Sequence, residues 1–152
     1  QSIVKILNKK KNKKKIIGGY YSYNFEAEIM PILEKFEKLK YIISLPKIGS
    51  NYSMNFFLWS INDPLNVNKY GIPEPITNKI IYPDILLVPL VAYDKNRNRL
   101  GYGGGFYDRY IKKIKKIKKI LTIGIAFSYQ RVKKIPIDKN DIKLDFIITE
   151  KK

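Results

Sequence analysis

The sequence predicts an α/β fold of three layers, a mainly parallel sheet with helices on both faces. Short β-branched and aromatic runs alternate with segments whose apolar residues recur at helical spacing, the pattern of β-α-β units. Ile85 to Val91 is the strongest strand in the chain, and turn residues and a glycine-rich loop follow it before the next helical segment. At 152 residues the chain has the size of one ordinary domain, which buries roughly two-thirds of its unfolded surface.

Taken in order, Ser2 to Leu7 reads as the end of an amphipathic helix that passes into a solvated lysine-rich loop, Lys9 to Lys15. Ile16 to Tyr23, with Gly18-Gly19, is a strand and loop, and Ala27 to Leu39 is a helix carrying Ile29, Ile32, Leu33 and Phe36. Tyr41 to Leu45 is a short strand ended by Pro46, and Met54 to Trp59 is another strand. Asn62 to Pro75 is a loop rich in Asn, Pro and Gly. After Ile85 to Val91 come a turn at Asp94 to Asn98, the glycine loop, and a helix from about Phe106 to Lys119. Ile120 to Phe127 and Phe146 to Thr149 close the series as strands. The order is that of a Rossmann-like sheet in a single domain, 1–152. Within the last helix Ile111, Ile114, Ile117 and Ile120 form an apolar stripe under a solvated lysine face, a better reading than an RNA-binding helix.

Composition removes several chemistries. The chain has no Cys and no His, so disulfide scaffolds, Cys or His zinc sites, cysteine nucleophiles and imidazole bases are excluded. The formal charge of +17 would suggest nucleic acid in isolation. It comes from 26 Lys against 4 Arg, alongside 26 Ile and 12 Asn. Such a lysine, isoleucine and asparagine excess spreads along the whole chain, whereas base reading favours the arginine fork. The expected partners are therefore small anions, with no specific nucleic acid. No apolar run approaches the roughly 20 residues that span a bilayer, and no signal peptide is visible. A cytoplasmic protein with no membrane partner is expected, as a monomer.

The chemically informative stretch runs from Arg99 to Tyr110. Gly101, Gly103, Gly104 and Gly105 let the backbone adopt positive φ and bring N–H groups close to a ligand. The loop enters a helix N-terminus, where unpaired amides and the macrodipole favour an anion, phosphate above all. It lacks the Gly-Lys-Ser/Thr ending of a Walker loop, and about eight residues separate Ala92 from Gly101, so it is no Rossmann fingerprint either. A glycine hinge is the plain alternative. Asp108 is either a helix cap or, beside a phosphate, a Mg²⁺ ligand. A second acid, Asp141 or Asp145, precedes the last strand, where one of them is expected at the ligand-binding edge of the sheet.

The run Pro83 to Pro89, Ala92-Tyr93-Asp94 and Arg99 to Tyr110 closely resembles the signature of the 5-formyltetrahydrofolate cyclo-ligases, also called 5,10-methenyltetrahydrofolate synthetases. The likeness extends from about Ile16 to Glu150. It takes in Tyr20-Tyr21-Ser22, Glu26, Trp59, Tyr70 to Pro75, Pro136, Asn140-Asp141, Asp145 and Thr149-Glu150. The resemblance implies a fold of cyclo-ligase type and the ATP-driven closure of 5-formyltetrahydrofolate, with or without a polyglutamate tail, to 5,10-methenyltetrahydrofolate. It further implies that Arg99, Leu100, Gly101, Tyr102, Gly103, Gly104, Gly105, Phe106 and Tyr107 hold ATP, and that Tyr102 to Phe106 also border the folate. By the same token Asp108 and Asp141 hold Mg²⁺, and Tyr21 and Glu26 touch the folate; without the likeness Glu26 would read as an exposed loop acid. Members of the family usually carry a Lys and an Arg on an N-terminal helix that reach the ATP phosphates. No such stretch precedes Ile16, so an N-terminal helical segment is expected to be missing. A nucleic-acid-binding module, or a truncated relative that binds folate or nucleotide without turnover, are the alternatives.

Overall fold

In the computed structural model of the chain, residues 2–8 and 15–151 are described. The lysine-rich stretch expected to be a solvated loop lies, from Lys9 to Lys14, outside the described residues. In chain order the elements are α1 (Ser2–Asn8), β1 (Ile16–Gly18), α2 (Met30–Lys38), β2 (Ile42–Ile48) and β3 (Met54–Trp59). There follow β4 (Leu65–Val67), β5 (Pro73–Pro75), β6 (Ile85–Val88), β7 (Ala92–Tyr93) and β8 (Arg99–Leu100). The last are α3 (Phe106–Lys115), β9 (Leu121–Ile125) and β10 (Phe146–Ile148). The main sheet has six strands in the order β10-β9-β6-β1-β2-β3, parallel throughout except that β3 runs antiparallel to β2.

The layers follow from strand alternation. Ile85 and Leu87 of β6 face one side and Leu86 and Val88 the other, all buried. On the first side Ile3 and Leu7 of α1 and Leu33 and Phe36 of α2 pack with Ile17, Ile85 and Leu87. On the second, Tyr110, Ile111 and Ile114 of α3 pack with Phe56, Leu86 and Val88. Full burial of such a side chain contributes roughly 1.5–3 kcal/mol, so the sheet is held from both faces and its strand ends are rigid supports. Phe56 is wholly buried, with its ring 4.9 Å from that of Tyr110. Phe56→Ala is expected to destabilise the fold by about 3–5 kcal/mol, read as the shift in a denaturant midpoint.

Several boundaries differ from those the sequence suggests, each for a local reason. Pro46 does not end β2, because its partner Phe56 turns its carbonyl away to accept from the N–H of Ile81. Pro46 therefore sits in a non-hydrogen-bonded pair with Phe56, and the ladder between β2 and β3 loses no bond there. Helix α2 starts later, at Met30, with Pro31 in its first turn. Asn62 to Pro75 is not wholly loop, since β4 and β5 pair there as a hairpin. The isoleucine stripe is corrected at Ile117, which is 54% exposed, while Ile111 and Ile114 are buried. A repeat of three drifts back about 60° per step on an α-helix, so four such residues cannot share one face. The helix stops at Lys115, Lys118 pairs with Asp84 at 2.5 Å, and Ile120 returns to the core outside the helix. Among the described residues no helix is long and apolar enough to cross a membrane.

Candidate active site

A cleft of about 960 Å³ opens beyond the carboxyl ends of β1, β2 and β6, where open parallel sheets place their ligands. Tyr20 and Glu26 border it from the segment after β1, Pro46 and Ile48 from the end of β2, and Pro89 from just past β6. The hairpin of β4 and β5 supplies Tyr70 and Ile72 on the far wall, with Glu74 accepting from the N–H of Ile48 at 2.9 Å to hold it against β2.

The glycine loop forms the floor. The chain leaves β6 and runs through the antiparallel pair β7 and β8, which explains the interval between the central strand and the first glycine. Gly103 has φ +92° and Gly105 φ +66°, and Gly105 caps α3 from a left-handed conformation without any side-chain cap. Among the described residues, no backbone N–H from Gly101 to Asp108 donates a hydrogen bond. A row of free amides at a helix N-terminus, open to a cleft, is an anion-binding arrangement.

Arg99 lies beneath this loop with its side chain only 6% exposed. Its guanidinium sits 5.5 Å from the Tyr107 ring, donates to the Pro89 carbonyl at 3.3 Å and lies 3.7 Å from Asp108 Oδ2. Its Nε–H is buried and has no hydrogen-bond partner among the described residues. Burial lowers the Arg99 pKa from its ordinary value, opposed by Asp108, Tyr107 and Asp141. Asp108 is not the helix cap that its position suggested: its Oδ1 accepts the N–H of Ile142 at 3.2 Å, and that bond fastens α3 to the segment before β10. Asp141 reaches the same cleft, its Oδ2 accepting the N–H of Asp138 at 2.9 Å.

The two acids considered before β10 separate clearly. Asp145 stands at the opposite end of the sheet, where its carboxylate accepts the N–H and hydroxyl of Thr122 at 2.8 and 2.9 Å. Among the described residues no three acids, His or Cys cluster as a metal cage. The donor set still fits Mg²⁺, which ordinarily takes one or two protein carboxylates and completes its shell with phosphate oxygens and water. Asp108 and Asp141, which both border the cleft, are the carboxylates available for that role.

Glu26 is half-buried rather than an exposed loop acid, and its Oε2 accepts the N–H of Tyr23 at 2.9 Å. Burial pushes its carboxyl up to about 7, against the lowering effect of that hydrogen bond. Tyr20, Tyr102 and Tyr107 are each raised above the ordinary phenol value, by burial first and by the Glu26 charge second. The phenols are therefore neutral donors, and Glu26 is the group here that changes charge near neutrality.

Of the residues the sequence singled out, Arg99 to Asp108, Tyr21, Glu26 and Asp141 border this one cleft, and Asp145 does not. Nothing in the sequence assigned a role to Arg109 or Tyr52. Arg109 donates to the Gly104 carbonyl and, at 3.2–3.3 Å, to that of Tyr52, tying the tip between β2 and β3 to the glycine loop. Its place one turn into α3 was visible. Its distant partner was not.

The sequence profile described as "5-formyltetrahydrofolate cyclo-ligase family" matches residues 3–150. The Haemophilus influenzae 5-formyltetrahydrofolate cyclo-ligase is 32% identical over 137 residues, covering 86% of this chain and 73% of that one. The Escherichia coli K12 protein of the same name is 31% identical over 143 residues, covering 90% and 78%. Among solved structures, a 5,10-methenyltetrahydrofolate synthetase from Mycoplasma pneumoniae superposes with a TM-score of 0.76 at 27% identity, covering 99% of this chain and 81% of that one. The Aquifex aeolicus 5,10-methenyltetrahydrofolate synthetase gives 0.77 at 31% identity, covering 99% and 76%. With nearly its whole length matched by the profile and its fold shared with solved members, the chain belongs to the 5-formyltetrahydrofolate cyclo-ligase family.

Proposed function

We infer that this chain is an ATP-dependent ligase that closes 5-formyltetrahydrofolate to 5,10-methenyltetrahydrofolate, releasing ADP and phosphate. One observation carries the reading. A single cleft brings together the free amides of the glycine loop, a buried arginine, an acid pair and a titratable carboxylate among tyrosines. In the reaction the formyl oxygen attacks the γ-phosphorus, the bond to the β,γ-bridging oxygen breaks, and ADP leaves with the electron pair. N10 then adds to the activated formyl carbon, the carbon–oxygen bond breaks to release phosphate, and N10 loses its proton as the ring closes. Such chemistry depends on positioning and charge neutralisation more than on a protein nucleophile, which suits a chain without His or Cys.

The residues divide the work as follows. The amides from Gly101 to Tyr107 and the N-terminus of α3 cradle the phosphates, and Arg99 offers its unpaired Nε–H and its charge from below. Leu100 borders the nucleotide, and Tyr102 to Phe106 border both nucleotide and folate. Tyr21 and Glu26 receive the folate, with the Glu26 carboxylate accepting from pterin N–H donors. Asp108 and Asp141 would hold Mg²⁺, whose charge offsets that of the phosphates. The direct test is the absorbance of methenyltetrahydrofolate on mixing the protein with 5-formyltetrahydrofolate, ATP and Mg²⁺. Product that requires ATP supports the reading, and no product rejects it.

Glu26 gives this reading a pH signature. With its carboxyl at about 7, the charged form that pterin donors prefer is populated above neutrality and lost below it. KM for 5-formyltetrahydrofolate is expected to rise as pH falls from 8 to 6, and Glu26→Gln to flatten that dependence at a uniformly high KM. Stability runs the other way. A carboxyl raised in the folded state favours folding below its unfolded value, and that contribution is lost as pH climbs through the folded value. Glu26→Gln should thus gain melting temperature relative to the parent at pH 8 and not at pH 4.

A further inference from the structure

We propose that Asp94 is a positioning residue for the ATP end of the cleft, locking the strand that delivers Arg99 to the segment that delivers Asp141. It rests on the roles proposed above for those two residues. Asp94 is 2% exposed and does not border the cleft. Its Oδ1 accepts the backbone N–H groups of Asn96 and Asn98 at 2.8 and 3.1 Å, within the turn between β7 and β8. Its Oδ2 accepts from the Asn98 side-chain amide at 3.0 Å and, across a gap of some forty residues in sequence, from the N–H of Ile135 at 3.1 Å. Four donors hold a buried carboxylate with no cation beside it among the described residues. Burial alone would raise its pKa, and the hydrogen bonds outweigh that and hold it below the ordinary carboxylate range.

The link to the site is a closed circuit. From Asp94 the chain passes through Asn98 into β8 and Arg99, which lies 3.7 Å from Asp108. Asp108 accepts from Ile142, the neighbour of Asp141. From Asp141 the chain leads back through the Asp138 turn to Ile135, whose N–H returns to Asp94. Two parallel ties reinforce the same seam: the N–H of Val132 to the Tyr93 carbonyl at 2.8 Å, and that of Leu144 to the Arg97 carbonyl at 3.1 Å. The circuit fixes Arg99, Asp108 and Asp141 relative to one another from a point outside the cleft. Asparagine cannot replace the carboxylate, because one of its two positions becomes a donor facing existing donors.

The test uses Asp94→Asn with Asp84→Asn as a control. Asp84 makes a comparable bond to the Ile16 N–H at 2.8 Å and pairs with Lys118 at the opposite end of the sheet. Asp94→Asn is expected to weaken ATP binding in Mg²⁺, by calorimetry, about ten- to a hundred-fold, and to leave 5-formyltetrahydrofolate affinity within about twofold. It should also speed hydrogen exchange at the Ile142 amide. Asp84→Asn should lower the melting temperature without either effect. Asn98→Ala, which removes a single donor, should give the Asp94 pattern at smaller amplitude and serves if Asp94→Asn does not fold. Parental ATP affinity in the Asp94 variant, or an equal loss in Asp84→Asn, overturns the proposal. Failure of the parent to bind ATP would instead overturn the functional reading, and Ile142 exchange still judges the clamp: unchanged exchange in both Asp94→Asn and Asn98→Ala sinks it.

Discussion

Asp108→Asn is expected to lower turnover with ATP by about three orders of magnitude, because charge stabilisation by a metal is worth several kcal/mol and each ~1.4 kcal/mol is tenfold. The variant keeps an oxygen able to accept from Ile142, so the bond from α3 to the segment before β10 can survive. What it loses is the charge opposite Arg99 and one of the two carboxylates proposed for Mg²⁺. Melting temperature should therefore change little while kcat collapses, and raised Mg²⁺ should recover only part of the rate. Normal turnover would reduce Asp108 to a structural acceptor.

Gly103→Ala and Gly105→Ala separate two contributions of the loop. Gly103 has φ +92° with open space where a Cβ would stand, so alanine there costs conformational energy alone, roughly 1–2 kcal/mol for an L-residue in the left-handed region. KM for ATP is expected to rise about tenfold, with the folate KM less affected. Gly105 has φ +66°, and a Cβ there would lie 2.8 Å from Nη1 of Arg109. Alanine at that position must also shift the Arg109 guanidinium, whose Nε and Nη2 donate to the carbonyls of Gly104 and Tyr52. A further loss of about tenfold is expected, and Arg109→Ala should reproduce that additional part by itself. Initial-rate kinetics over an ATP series resolves the two. Equal behaviour of both glycine variants would show that the Arg109 strut carries no weight.

Much of this site is legible in the sequence because its main parts are contiguous. Arg99 to Asp108 is one uninterrupted run, and its glycines, helix start and acid need no tertiary information to suggest a phosphate loop. The β6 strand is legible for a similar reason: it is buried on both faces, and an apolar run says so directly. Elements that depend on partners were not legible. Pro46 looks like a strand end until Phe56 is seen to turn its carbonyl to Ile81. The hairpin of β4 and β5 hides in a stretch whose Asn, Pro and Gly content describes its turn and not its pairing. Asp141 and Asp145 look equivalent by position before the last strand, and the family likeness alone favours Asp141; the path of the chain sends it to the cleft and Asp145 to Thr122 at the far end of the sheet. The contacts of Arg109 and Asp94 were not legible because their partners, Tyr52 and Ile135, are remote in the chain.

The central claim is that the unpaired amides of the glycine loop hold the phosphates of ATP, and backbone amide NMR tests it most directly. Titration with ATP in Mg²⁺ is expected to shift the amide resonances from Gly101 to Asp108, while adenosine at the same concentrations leaves them in place. ATP shifts confined to other parts of the chain, with those loop amides unmoved, would contradict the account.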